Sequence, residues 1–260
     1  MLGFGTYELT DADCTNAVQT AIECGYRHID AARAYGNEVA VGAALSRTEI
    51  DRDELFLTSK VWFDQLHAAE VDAQVHDSLR DLQTDYLDLV LIHWPNPEVP
   101  LEETIDALDR LKRQELIRQY GVSNFPPSWF RRALELGDIF CNQVEYHPLL
   151  GQETLLGIAR EHGIMLTAYA PLAQGELLNN ATMKSIASKH GCTVGEVAIR
   201  WLLDQPQVTT IPRSSNPDHI RSNFQALDLE FEDDDRLKLE QLPKNQRMVN
   251  PDFAPDWERG

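Results

Sequence analysis

What this sequence lacks narrows it first. Cysteine is scarce: Cys14, Cys24, Cys141 and Cys192 are the only four, and no two stand in the C-x-x-C spacing of a zinc or redox site. Scattered thiols of this kind read as small buried side chains in a reducing compartment. No run of apolar residues approaches the roughly 18 to 20 that a membrane span needs, so no membrane partner is expected. Met1-Leu2-Gly3-Phe4-Gly5 carries neither the basic nor the apolar region of a secretory signal, and a cytoplasmic protein is expected. Basic residues are few, 23 Lys and Arg against 42 Asp and Glu, for a net charge of −19. Such a surface repels phosphate backbones, which excludes nucleic acid as a partner class. Glycine signatures are missing too. Gly3 and Gly5 are present, but the third glycine of G-x-G-x-x-G is not, and neither a P-loop nor a G-x-S-x-G elbow occurs.

The lysines Lys60, Lys112, Lys184, Lys189, Lys238 and Lys244 are spread thinly, while acids cluster, as at Asp233-Asp234-Asp235. An acidic surface of this density suits a salt-rich cytoplasm, where the screening length is about 3 Å at 1 M salt against about 30 Å at 0.01 M. The melting temperature is therefore expected to rise as KCl goes from about 0.05 M to about 2 M, as self-repulsion is screened. A flat profile would mean that the acids merely solvate the surface.

What is there is an alternation. The 260 residues are 43% hydrophobic and 25% charged, enough for one large α/β domain, expected over residues 1–260. No Pro/Gly/Ser-rich linker or low-complexity tract breaks the chain. Short β-rich runs stand at Leu2–Tyr7, Tyr26–Asp30, Leu55–Lys60, Tyr86–His93, Ile117–Ser123, Phe140–Tyr146, Ile164–Ala170 and Val208–Pro212. Between them lie stretches of helical period: Leu101, Ile105, Leu108 and Leu111 mark one, and Ile186, Val194, Val197 and Trp201 others. Strand–helix alternation implies parallel βαβ units. Eight such units in about 250 residues predict a single (β/α)8 TIM barrel over a doubly wound sheet.

In such barrels the active site lies at the C-terminal ends of the strands. The second predicted strand ends at Asp30 and leads to Tyr35-Gly36-Asn37-Glu38; the third ends in Ser59-Lys60-Val61-Trp62, the fourth in His93-Trp94-Pro95. Each has an ordinary reading. Asp30 caps a loop, Asn37 and Glu38 form a helix N-cap with a first-turn acid, Tyr35 packs, Lys60 sits on the surface and His93 fills the core. Four such residues at successive strand ends fit one reaction better. Hydride reduction of a carbonyl needs a proton donor at the oxygen, where negative charge builds. A phenol, with an ordinary pKa of about 10, holds its proton at neutral pH. An adjacent ammonium is expected to lower that value, an acid to keep the ammonium charged, and an imidazole to fix the substrate oxygen.

Asp30-Ala-Ala-Arg-Ala-Tyr35-Gly-Asn-Glu38, Ser59-Lys60-Val-Trp62 and Leu91-Ile-His93-Trp94-Pro95 resemble the catalytic motifs of the aldo-keto reductases. Gly121-Val-Ser123-Asn124-Phe125, Asn142-Gln143-Val-Glu-Tyr-His147-Pro148 and Ala168-Tyr169-Ala170-Pro171-Leu172 match further family motifs in order. The ending from Arg247-Met-Val to Ala254-Pro-Asp-Trp257 is similar to that of small prokaryotic 2,5-diketo-gluconate and methylglyoxal reductases. The resemblance implies an NADPH-dependent reductase of small carbonyls, NADH also being usable, with Asp30, Tyr35, Lys60 and His93 as the catalytic set. It implies that Ser123, Asn124 and Gln143 hold the nicotinamide carboxamide while Tyr169 stacks on the ring. Ala170 and Leu172 would follow the pyrophosphate, Arg213, Ser214 and His219 the 2′-phosphate, and Asn223 the adenine. Tyr7, Trp62, His93 and Trp94 would line the substrate mouth. A monomer without metal is expected.

The chain departs from the family pattern in places. Arg213 stands where Lys is usual, His219 holds the second basic position, Ser222 replaces a customary Glu and Ala170 a customary Ser. The N-terminus lacks the usual hairpin at the barrel bottom, and the brief tail is expected to leave the substrate mouth open. Two rival readings are a metal-dependent barrel hydrolase, using His28, Asp30, His93, Glu145 and His147, and a cofactor-binding regulatory subunit without turnover.

Overall fold

A computed structural model describes residues 1–257. Its strands are β1 (Phe4–Gly5), β2 (His28–Asp30), β3 (Phe56–Val61), β4 (Leu87–Ile92), β5 (Ile117–Ser123), β6 (Ile139–Glu145), β7 (Met165–Tyr169) and β8 (Val208–Thr210). All pair in parallel, in chain order from β1 to β8. The order never reverses, which separates a barrel from a doubly wound sheet. Closure runs from β8 back to β1: Leu2 bridges Thr210, and the Gly3 and Gly5 N–H groups donate to the Thr210 and Pro212 carbonyls at 2.8 and 3.0 Å. Gly5 matters here because a Cβ on it would sit 2.8 Å from the Ile211 carbonyl oxygen.

Helices follow the strands: α1 (Asp11–Cys24), α2 (Glu38–Leu45), α3 (Ala68–Leu82), α4 (Leu101–Arg113), α5 (Pro127–Leu136), α6 (Glu153–His162), α7 (Ala181–His190), α8 (Val194–Leu203), α9 (Pro217–Gln225) and α10 (Asp233–Glu240). The stripe read from the sequence is the buried face of α4, where Leu101, Ile105, Leu108 and Leu111 are buried. Acids Glu102 and Glu103 in its first turn and bases Arg110, Lys112 and Arg113 in its last complement the helix dipole. Thr193 and Glu196 form a capping box at the start of α8.

Within the barrel, Leu89, Leu91 and Cys141 pack with Phe56, Phe140 and Met165, and the Phe56 and Phe140 rings stack at 6.0 Å. His28 sits beside them, its Nε2 3.1 Å from Thr58 Oγ1 and its ring edge-on to Phe56. Burial pushes its pKa down to about 4, with Asp30 partly opposing and Lys60 adding to the drop. A depressed folded-state value gives stability above the ordinary histidine pKa of about 6.5 and loses it as pH falls toward 4. Between pH 7 and pH 5 the wild type is expected to lose about 2 kcal/mol more than His28→Gln, measured by chemical denaturation. Equal losses would mean that His28 takes up its proton in the folded state.

Candidate active site

The chain brings the four strand-end residues together as the parallel register requires. Asp30 closes β2, paired with Gly5 on one side and Thr58 on the other. Lys60 lies near the end of β3, opposite Leu91, and the His93 N–H extends the β3–β4 ladder by donating to the Val61 carbonyl. Tyr35 ends a short turn, Arg33–Tyr35, that Gly36 terminates at φ 65°, a left-handed conformation glycine adopts without a Cβ clash. Arg33 anchors that turn by pairing with Glu38 and Asp81. Asn37 stands at the N-cap position of α2 without capping it. Its Nδ2 instead donates to the Thr6 and Leu9 carbonyls, tying down the loop after β1.

Lys60 is the hub. Its Nζ donates to Asp30 Oδ1 at 2.5 Å, to the Ala31 carbonyl at 2.9 Å and to the Tyr35 hydroxyl at 3.2 Å. These three acceptors match the three donors of an ammonium. The other Asp30 oxygen accepts from Gln143 Nε2 at 2.7 Å. The Tyr35 and His93 ring centroids lie 5.6 Å apart, and buried His93 Nδ1 has no hydrogen-bond partner among the described residues.

Burial dominates the electrostatics, and it reverses one expectation. The Tyr35 phenol is pushed above its ordinary value by burial, which outweighs the downward pull of Lys60. The ammonium alone would lower the phenol; its burial, invisible in the sequence, is the larger effect. Burial acts to lower Lys60, but Asp30 and Tyr35 more than offset it and the ammonium is held above its usual range. Burial, reinforced by the Lys60 charge, drives His93 well below the usual histidine value. At neutral pH the cluster is thus a protonated phenol, an ammonium and a neutral imidazole.

Beside it lies a polar shelf at the ends of β5 and β6. Ser123 Oγ donates to the Gln143 carbonyl, and Asn124 Nδ2 to the His93 carbonyl and Ser123 Oγ. Tyr169, ending β7, donates from its hydroxyl to Asn124 Oδ1 at 2.8 Å. Past Tyr169 the backbone is left-handed at Ala170, Ala173, Gln174 and Gly175, with Leu172 between them. Turns of this type form concavities of N–H groups that bind anions. Asn223 is buried in α9, its Oδ1 against Gly195 of α8. Ser222, where the family pattern has Glu, donates to Glu196, so a carboxylate stands beside that position. Ser214 Oγ accepts the Asn216 N–H, and His219 is exposed. Arg213 is already engaged: Nε donates to the Tyr7 carbonyl at 2.8 Å and Nη2 to Glu8.

The mouth is aromatic. Tyr7 sets its ring edge-on to Tyr35 at 5.1 Å, and Trp62 meets His93 at 5.0 Å. The expectation of an uncovered mouth is corrected here. Phe253 of the tail stacks on Phe63 and meets Trp62 and Trp94 edge-on, and Trp257 reaches Trp94. Buried Glu145 seats this tail by accepting the Met248 and Val249 N–H groups at 2.7 and 2.9 Å. Arg247 lies over the Trp257 ring at 3.8 Å. Read from the sequence, Glu145 is a candidate metal ligand only, and Arg247, Phe253 and Trp257 carry no role; in the structure Glu145 holds the tail backbone instead. The aromatics of the C-terminal segment were the available signal.

Among the described residues no group of three His, Cys, Asp or Glu side chains could hold a metal ion. His28 is bonded to Thr58, and His147 to Glu145.

A parallel eight-stranded barrel carrying a buried phenol, ammonium, carboxylate and neutral imidazole at its strand ends is the architecture of a carbonyl oxidoreductase. The Aldo/keto reductase family model matches residues 1–243, and the chain belongs to that family. It is 37% identical over 262 residues to methylglyoxal reductase DkgB of Escherichia coli O157:H7, covering 98% of each chain. It is 40% identical over 254 residues to glyoxal reductase of Bacillus subtilis (strain 168), covering 96% of this chain and 91% of that protein. A crystal structure of a protein assigned as 2,5-diketo-D-gluconic acid reductase B superposes with a TM-score of 0.96 at 37% identity, covering 99% and 93%. The chain is accordingly an NAD(P)H-dependent oxidoreductase that acts on small carbonyl compounds.

Proposed function

We propose that this chain, working as one barrel domain and as a monomer in the cytoplasm, reduces small aldehydes, ketones and α-dicarbonyls to alcohols with NADPH. The observation that carries this reading is the Tyr35 hydroxyl 3.2 Å from Lys60 Nζ, with Lys60 in turn bonded to Asp30. The names of the methylglyoxal and glyoxal reductases among its relatives support the dicarbonyl class. Four cysteines without a disulfide among them suit the cytoplasm.

The donor set fits a nicotinamide cofactor. A carboxamide offers two N–H donors and one acceptor, which Ser123, Asn124 and Gln143 can answer from one shelf. Tyr169 flanks that shelf with a ring suited to stacking. Ala170 and Leu172 fit the pyrophosphate, Arg213, Ser214 and His219 the 2′-phosphate, and Asn223 the adenine. Bound NADPH supplies the hydride that the carbonyl carbon accepts. Tyr35 gives its proton to the carbonyl oxygen as charge develops there, and the resulting phenolate is stabilised by Lys60. Asp30 holds Lys60 charged and in line. Neutral His93 orients the carbonyl oxygen, and Tyr7, Trp62, Trp94 and Phe253 bound a mouth suited to small substrates.

Loss of NADPH absorbance against a panel of aldehydes, α-dicarbonyls and keto-sugars tests the reading. Cofactor binding without turnover of any of them would favour a regulatory subunit. Within the same assay, Arg213→Ala is expected to raise KM for NADPH by roughly 10- to 150-fold, the worth of a lost charge-assisted fork, with little change for NADH. Equal losses for both cofactors would mean that Arg213 does not face the 2′-phosphate.

A further inference from the structure

We infer that Glu8 is a cofactor-specificity residue: its carboxylate competes with the 2′-phosphate of NADPH for Arg213 and so sets the preference for NADPH over NADH. The inference rests on the reading of Arg213 as the phosphate partner. It starts from the barrel closure. Because β8 pairs back onto the N-terminal strand, the segment after β8 runs beside the loop after β1. Arg213 therefore meets residues some 205 positions away in the chain.

Its Nε and Nη2 groups, one edge of the guanidinium, are spent on the Tyr7 carbonyl and the Glu8 carboxylate. That edge is one of those that fork onto an oxyanion. Glu8 thus stands in for a phosphate, and wherever the phosphate docks on Arg213 it meets a charge already partly neutralised.

The pair is built to yield. The Glu8 side chain is 60% exposed and that of Arg213 38%, and a solvated pair of this kind is weak. A 2′-phosphate carries a charge of about −1.5 to −2 at neutral pH and outbids a single carboxylate. NADH has nothing to offer Arg213 and leaves the pair intact. The loop does not depend on Glu8 for its position, because buried Asn37 holds it from both sides through the Thr6 and Leu9 carbonyls. Glu8 can therefore be changed without unseating Tyr7.

The test is equilibrium binding of NADP⁺ and NAD⁺, followed by quenching of tryptophan fluorescence without turnover, in Glu8→Gln, Arg213→Ala and the double variant. Removing an exposed competitor should tighten NADP⁺ by roughly two- to fivefold and leave NAD⁺ unchanged. Glu8→Ala should reproduce that gain, and in the Arg213→Ala background Glu8→Gln should move neither cofactor. If Arg213→Ala weakens NADP⁺ selectively but Glu8→Gln does not tighten it, the competition is overturned while the phosphate role of Arg213 stands. If Glu8→Gln tightens both cofactors alike, Glu8 is only one more repelling acid and the inference is again overturned. If Arg213→Ala shows no selectivity for NADP⁺, the reading beneath the inference falls with it.

Discussion

Tyr35→Phe is expected to leave cofactor affinity near wild type and to lower kcat by about 10²- to 10⁴-fold, the range for lost acid catalysis. The ring stays and only the hydroxyl goes, so the edge-on contacts to Tyr7 and His93 persist. What disappears is the phenolic proton, while the Lys60 ammonium stays committed to Asp30 and the Ala31 carbonyl. Burial keeps the phenol above its ordinary value, and His93, held well below its own, has no proton to spare at neutral pH. Turnover of a dicarbonyl measured beside the Kd for NADPH checks this. Near wild-type kcat would remove Tyr35 from the mechanism.

Lys60→Met should show two losses that can be told apart. Removing the ammonium strands Asp30 in the interior with Gln143 Nε2 as its remaining side-chain donor. Breaking a buried pair from one side costs about 3 to 5 kcal/mol, which for a chain of this size lowers Tm by roughly 10 °C. Turnover should fall as well, because the phenol loses the one neighbour that stabilises its deprotonated form. The double variant Lys60→Met/Asp30→Asn neutralises the stranded carboxylate. It should recover much of the Tm but none of the turnover. Recovery of both would make Lys60 a structural partner of Asp30 and nothing more.

The strands, their number and the residues at their ends were legible in the sequence because they are local. A run such as Tyr86–His93 announces a buried strand, and the next polar residues must then fall at its mouth. Asp30, Lys60 and His93 were found that way, as was Tyr35 one turn further on. The motifs also put Ser123, Asn124 and Gln143 on neighbouring strand ends, where they form one hydrogen-bonded shelf.

The rest depended on partners far apart in the chain. Periodicity tells which face of a segment is buried, but not which distant charge it meets there. Glu145 finds the tail backbone 103 and 104 residues on, and the tail so held sets Phe253 and Trp257 against Trp62 and Trp94 at a mouth that its brevity suggested was open. Glu8 finds Arg213 only because β8 closes onto β1. Tyr35 holds its proton more tightly than a phenol beside a lysine would in water, because desolvation depends on everything packed around the pair. The sequence by itself determined the barrel and the types of side chain at its mouth. Tertiary structure decided their protonation states, the place of the tail against the mouth aromatics and the partner of Arg213, since burial and long-range contacts exist only once the barrel has closed.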